Sequence, residues 1–249
     1  MTKRGILDSL LLSFLLILVI AFPVEYFITD TFSYYLVQIG LRLLLLTYYY
    51  FSIRRSGRRV YGDENWKEIA ILSPVFLICV SNIILCVIYP TSVSFNGINK
   101  IFALEIVLDL LTAIVEEILF RLIFHNALRI SNRLVRIIAS AGIFAAFHAL
   151  NFFAYFDPTI FIQVGYTFGL GIVLGFLMEY GNSVFMCMGL HFLYNAVNGT
   201  LFSYIFMMSN PQQLPVYYYV NIGVAAIVAI YLLIIFLVRY RKVNRLYFY

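Results

Sequence analysis

The chain has 249 residues, of which 63% are hydrophobic and 12% charged, and carries a net charge of +5; its mean hydropathy is +0.93. A soluble domain is roughly half apolar and about a quarter charged, so a soluble globular fold is excluded. The basic excess does not point to nucleic acid, because its Lys and Arg lie in short segments between long apolar runs, where they report membrane orientation.

The first run, MTKRGILDSLLLSFLLILVIAFPVEYFI, has the basic start and apolar stretch of a signal peptide. Its apolar part is longer than a signal core and lacks a clear small-residue cleavage site, so it reads as a retained first span. In chain order the predicted spans are 6–28, 33–53, 68–90, 101–129, 135–154, 160–180, 184–207 and 217–239. Each is long enough to cross a hydrocarbon core of about 30 Å. The expected fold is therefore all-α: a polytopic helical bundle of about eight transmembrane helices, forming a single integral membrane domain over residues 1–249. Placing the N-terminus in the cytoplasm puts 14 of the 17 Lys and Arg on the cytoplasmic side. That asymmetry predicts an N-in, C-in topology. No internal repeat is visible, which argues against a transporter built on inverted halves. Cys79, Cys86 and Cys187 lie inside apolar runs with no CxxC spacing, so they read as core residues.

An ionisable residue deep in a bilayer costs several kcal/mol (roughly 2.5–3.5 on insertion scales) and persists where it is paired, hydrated or functional. The fourth span holds Glu105, Asp109, Glu116, Glu117 and Arg121. Glu105, Asp109 and Glu116 share a face, and Glu117 and Arg121, four apart, have the spacing of an intrahelical ion pair. Adjacent helical positions point about 100° apart, so the two glutamates need not share a task, and Glu116 is the carboxylate left free. Glu105 and Asp109 are expected to pair structurally with Arg42 or to line a polar access path. His125, at the end of this span, is expected to cap the helix or sit at the membrane interface. The fifth span carries Phe144 and His148 one turn apart, and the seventh carries His191 and Asn195 four apart. Each pair alone suits a buried hydrogen bond between membrane helices. Together, Glu116, His148, His191 and Asn195 come from the interiors of three spans, a costly set that stability does not require. Gly165, Gly169, Gly171 and Gly175 give the sixth span two GxxxG spacings, which predict close helix packing.

The ordered set Glu116-Glu117-Ile-Leu-Phe-Arg121, Phe144-Ala-Ala-Phe-His148 and His191-Phe-Leu-Tyr-Asn195 resembles the three motifs of the CPBP family. This family comprises the type II CAAX prenyl endopeptidases and the bacteriocin-processing and self-immunity (Abi) proteins. The resemblance spans roughly residues 100–200, the expected catalytic core. It implies that Glu116 is the general base, that His148 positions and activates a water, and that His191 and Asn195 donate hydrogen bonds to the oxyanion. Glu117 and Arg121 would support the fourth helix. Members of the family have also been described as metalloproteases. The preferred reading is catalysis without a cofactor; the alternative is zinc held by Glu116, His148 and His191, with Glu117 as base.

The expected function is an intramembrane endopeptidase that hydrolyses a peptide bond by glutamate- and histidine-activated water. It would process a small peptide precursor or confer bacteriocin self-immunity. The alternative is a non-enzymatic membrane immunity or scaffold protein that binds a peptide partner. Expected partners are a peptide or membrane-associated protein substrate and the lipid bilayer, with no nucleic acid. The expected location is a bacterial cell membrane, crossed several times. His191 lies about 10 Å into its span from the cytoplasmic end, which suggests access from the cytoplasm or inner leaflet.

Overall fold

A computed structural model describes residues 27–56, 64–128, 130–150, 160–208 and 214–240, together with Leu11, Leu15, Val24, Asn210 and Gln212. The predicted first span lies largely outside the described residues. Among the described residues all regular structure is helical. In chain order, α1 is Thr31–Ser56, α2 Trp66–Leu72, α3 Ile83–Ile88, α4 Lys100–Glu117, α5 Arg133–Ala149, α6 Ile160–Gly181, α7 Val184–Leu193 and α8 Leu214–Ile235.

Short polar residues start several of these helices by accepting backbone N–H groups that a helix leaves unpaired. The Asn99 side chain accepts from Ile101 and Phe102 at the head of α4, Asn132 from Val135 at α5 and Ser183 from Met186 at α7. Asp30, ahead of α1, accepts from the Ser33 amide at 2.7 Å; the Ser33 side chain first, and this amide second, hold its carboxyl below the usual carboxylate range. Between α6 and α7 the chain turns within two residues, with Asn182 at a φ of 51°, a left-handed conformation that asparagine tolerates.

The predicted third span, 68–90, is helical but is not one α-helix. A 3₁₀ stretch, Ser73–Val80, carries Pro74 in its first turn and separates α2 from α3. Proline has no N–H to donate and crowds the preceding turn, so it interrupts an α-helical ladder. Two other helices change pitch. After Glu117, α4 continues as a π-helix over Ile118–His125. After Leu193, α7 continues as π-helices over Tyr194–Leu201 and Ser203–Met207. π-segments are uncommon and concentrate at functional sites.

Three helices among the described residues are long and apolar enough to cross a membrane: Thr31–Arg54, Ile160–Gly181 and Tyr219–Tyr240. α8 turns Ile222, Ile227, Ile230 and Leu233 outward, while Glu116, Glu117, Arg121 and His191 are buried. An apolar exterior over a polar interior is the arrangement of a protein solvated by lipid. This is a membrane protein.

The core that frames the buried polar residues has two parts. One joins α2, α5, α6, α7 and α8 through Leu72, Ile137, Leu174, Leu190 and Val228. The other joins α1, α4 with its π continuation, and α5 through Tyr49, Leu119, Phe120 and Phe144. Of the glycines predicted to allow close packing, Gly171 and Gly175 do so. A Cβ on Gly175 would come within 2.8 Å of Ile137, and one on Gly171 within 3.0 Å of Ala141, both on α5. Gly165 and Gly169 have nothing within 4 Å of a built Cβ, so the first GxxxG spacing makes no such contact.

Candidate active site

α4, α5 and α7 converge on a cavity of about 440 Å³ whose lining includes Glu116, His148, His191 and Asn195. Glu116 is the last but one residue of α4, 4% exposed. Its Oε2 lies 4.0 Å from Nε2 of His148 and 3.8 Å from Nε2 of His191. That oxygen is buried and has no hydrogen-bond partner. A buried, unpartnered carboxylate oxygen costs free energy and marks where a proton donor belongs.

The two imidazoles are each held from the other side of the ring. His148 Nδ1 lies 3.0 Å from the Phe144 carbonyl, one turn earlier on α5. His191 Nδ1 lies 2.9 Å from Glu117 Oε1. A carbonyl and a carboxylate only accept, so in each ring Nδ1 carries the proton. In a neutral ring Nε2 is then a lone pair, and both Nε2 atoms face Glu116. Three acceptors therefore meet at one point. Phe144 packs edge-on against both rings, at 4.8 Å from His148 and 5.7 Å from His191, and so fixes their planes.

Glu117 points the other way, as the 100° between neighbours requires. Its Oε2 accepts from Arg121 Nε at 3.0 Å, with both side chains fully buried. Arg121 Nη1 reaches Ser140 Oγ on α5 at 3.0 Å, and its guanidinium lies over the Phe144 ring at 5.0 Å. The spacing of Glu117 and Arg121 predicted this ion pair. What one sequence did not reveal is that Glu117 also holds His191, 74 positions away.

The rest of α4 extends the cavity wall. Asp109 accepts from Thr200 Oγ1 at 2.8 Å and Glu105 from the Tyr204 hydroxyl at 3.0 Å, and both line the cavity with Arg42. Arg42 itself donates to Thr112 and to Gln38, at 2.7 and 2.6 Å. His125 sits in the last turn of its π-helix, as one of the two expected readings has it, and is 2% exposed. Its Nε2 bonds Glu179 Oε2 at 2.9 Å, and Glu179 also takes Arg136 Nε at 2.8 Å and Arg133 at 3.3 Å. A buried carboxylate with cations around it is the stable outcome there.

Tetrahedral zinc, with ligand atoms at about 2.0–2.1 Å, holds those atoms about 3.3 Å apart. The separations of 4.0 and 3.8 Å are wider. Among the described residues no group of three His, Cys, Asp or Glu side chains is disposed to hold a metal. The arrangement as it stands does not fit zinc.

Residues 98–197 match the family model for type II CAAX prenyl endopeptidase Rce1-like proteins. The matched segment contains Glu116, Glu117, Arg121, His148, His191 and Asn195. No curated protein and no solved structure matches the chain.

Proposed function

Through residues 98–197 the chain belongs to the type II CAAX prenyl endopeptidase Rce1-like family, within the CPBP membrane proteases, and on that premise we propose that Glu116 and His148 activate a water for peptide-bond hydrolysis inside the membrane. The observation that carries this reading is the unpartnered Glu116 Oε2 facing His148 Nε2 across 4.0 Å. One water spans that gap with two hydrogen bonds of about 2.7–2.8 Å. It gives one hydrogen to the carboxylate and one to the imidazole lone pair, leaving an oxygen lone pair for attack.

As the water oxygen bonds to the peptide carbonyl carbon, its proton passes to Glu116. The carbonyl π pair moves to oxygen, giving a tetrahedral oxyanion. Asn195 and His191 donate to that oxyanion, the amide from Nδ2 and the imidazole from Nε2. His191 donates from Nε2 when its ring carries both protons, and the Glu117 carboxylate on Nδ1 compensates that charge. Collapse of the oxyanion then breaks the C–N bond, and the proton on Glu116 goes to the departing amine. General-base catalysis of this kind contributes about 10²–10⁴-fold.

The proposed substrate is a small peptide precursor, or a bacteriocin against which the protein protects its cell. The whole chain acts as one membrane domain of about eight spans, N-in and C-in, with residues 100–200 as its catalytic core. The multi-pass topology is supported by the distribution of Lys and Arg and by the apolar composition.

Cleavage of candidate precursors by detergent-purified protein tests this reading, comparing wild type with His148→Ala, each with and without a strong chelator. We expect chelator-insensitive cleavage that His148→Ala reduces at least a hundredfold. Loss of wild-type cleavage on chelation, restored by zinc, would replace the metal-free mechanism. Equal protection against a bacteriocin by wild type and a cleavage-dead variant would instead identify a binding protein.

A further inference from the structure

Behind the proposed oxyanion donors lies a closed ring of buried and half-buried amides that the reaction itself does not use. Asn198, 2% exposed, sits on the π-helix Tyr194–Leu201, three residues after Asn195, and lines the same cavity. Its Nδ2 donates to Asn221 Oδ1 on α8 at 3.2 Å. Asn221 Nδ2 donates to Asn82 Oδ1 at 2.7 Å, and Asn82 Nδ2 returns to the Asn198 carbonyl at 2.6 Å. The ring is pinned twice more: Asn198 Oδ1 accepts from the Asn82 amide at 2.9 Å and from Ser81 Oγ at 2.9 Å.

The Asn82 amide is free to do this because the helical ladder breaks between Val80 and Ile83. Two separate stretches of chain, the Ser81–Asn82 break and α8, are thus tied to one residue of a π-helix. A π-segment is rarely stable on its own, and its wider turn changes the direction of every residue that follows Leu193. Asn195 is in that turn.

We propose that the Ser81–Asn82–Asn198–Asn221 ring is a positioning device that fixes the pitch of the Tyr194–Leu201 helix and so aims Asn195 at the reacting carbonyl. The inference rests on the proposed role of Asn195. Neither Asn82 nor Asn221 lines the cavity, so their influence on cleavage runs through the ring. General interhelical adhesion would instead change stability and leave the chemical step alone.

The test is steady-state cleavage of a processed peptide precursor by the full chain with Asn221→Leu, in the wild-type and Asn195→Ala backgrounds. The ring predicts a fall in kcat of about ten- to a hundredfold with KM within about twofold, as misplacement of a reacting group produces. In the Asn195→Ala background the same change costs little more, because the two residues act as a unit. Should Asn221→Leu not fold, Asn82→Ser carries the same expectations, since it removes one ring donor and keeps a small polar side chain. Unchanged kcat, or equal fold-losses in both backgrounds, would overturn the proposal. Failure of the underlying peptidase reading is separately visible as wild-type cleavage by Glu116→Gln.

Discussion

Glu117 stands between Arg121 and the His191 ring, and its loss should be felt twice. Glu117→Gln leaves the fully buried Arg121 without its counter-charge, a change that typically costs about 3–5 kcal/mol. It also removes the carboxylate from His191 Nδ1. We expect a lowered thermal midpoint in detergent together with at least a tenfold drop in kcat; normal stability and turnover would refute this double role. Asn195→Ala should behave differently, losing about 10²–10³ in kcat as for a lost oxyanion donor with little change in melting. At this scale the sequence was informative about direction but not about partners. That Glu116 and Glu117 diverge follows from helix geometry alone, as does the Glu117–Arg121 spacing. The Glu117–His191 and Asn198–Asn221–Asn82 bonds join residues whose nearness only the packed fold creates, and nothing in local spacing signals them.

The α5–α6 contact gives the clearest test among the elements. Gly175→Ala drives a methyl to within 2.8 Å of Ile137, and overpacking of this kind costs about 1–3 kcal/mol. Gly165→Ala and Gly169→Ala meet nothing within 4 Å and should melt with the wild type. Equal melting of all three variants would show that Ile137 yields freely. The cap on α1 makes a pH prediction. The hydrogen bonds from Ser33 hold the Asp30 carboxyl below its ordinary range, so the cap is complete above the ordinary carboxylate range. It is lost as pH falls through the lowered value in the folded protein. Faster amide exchange at Ser33 and Tyr34 in acid, absent from Asp30→Ala, would report it. Helix placement was largely readable from apolar runs, and the break in the third stretch is explained by Pro74. The change from α to π pitch after Glu117 and after Leu193 left no signature, because the residue types at both points suit an α-helical ladder as well as a π one.

For the molecule as a whole, composition alone identified lipid as the solvent, and the polar residues inside three apolar runs pointed to a cavity within. The outward isoleucines and leucines of α8 and the buried Glu, Arg and His of α4 and α7 are two faces of that one fact. Glu116 is the proposed base of a peptidase site in this cavity. The most direct test of that role is the rate of precursor cleavage by Glu116→Gln, which keeps the side chain's shape and removes its charge, against wild type in the same detergent. We expect a loss of about 10²–10⁴-fold in a protein that is folded and still binds the peptide. Cleavage within a few-fold of wild type would contradict it.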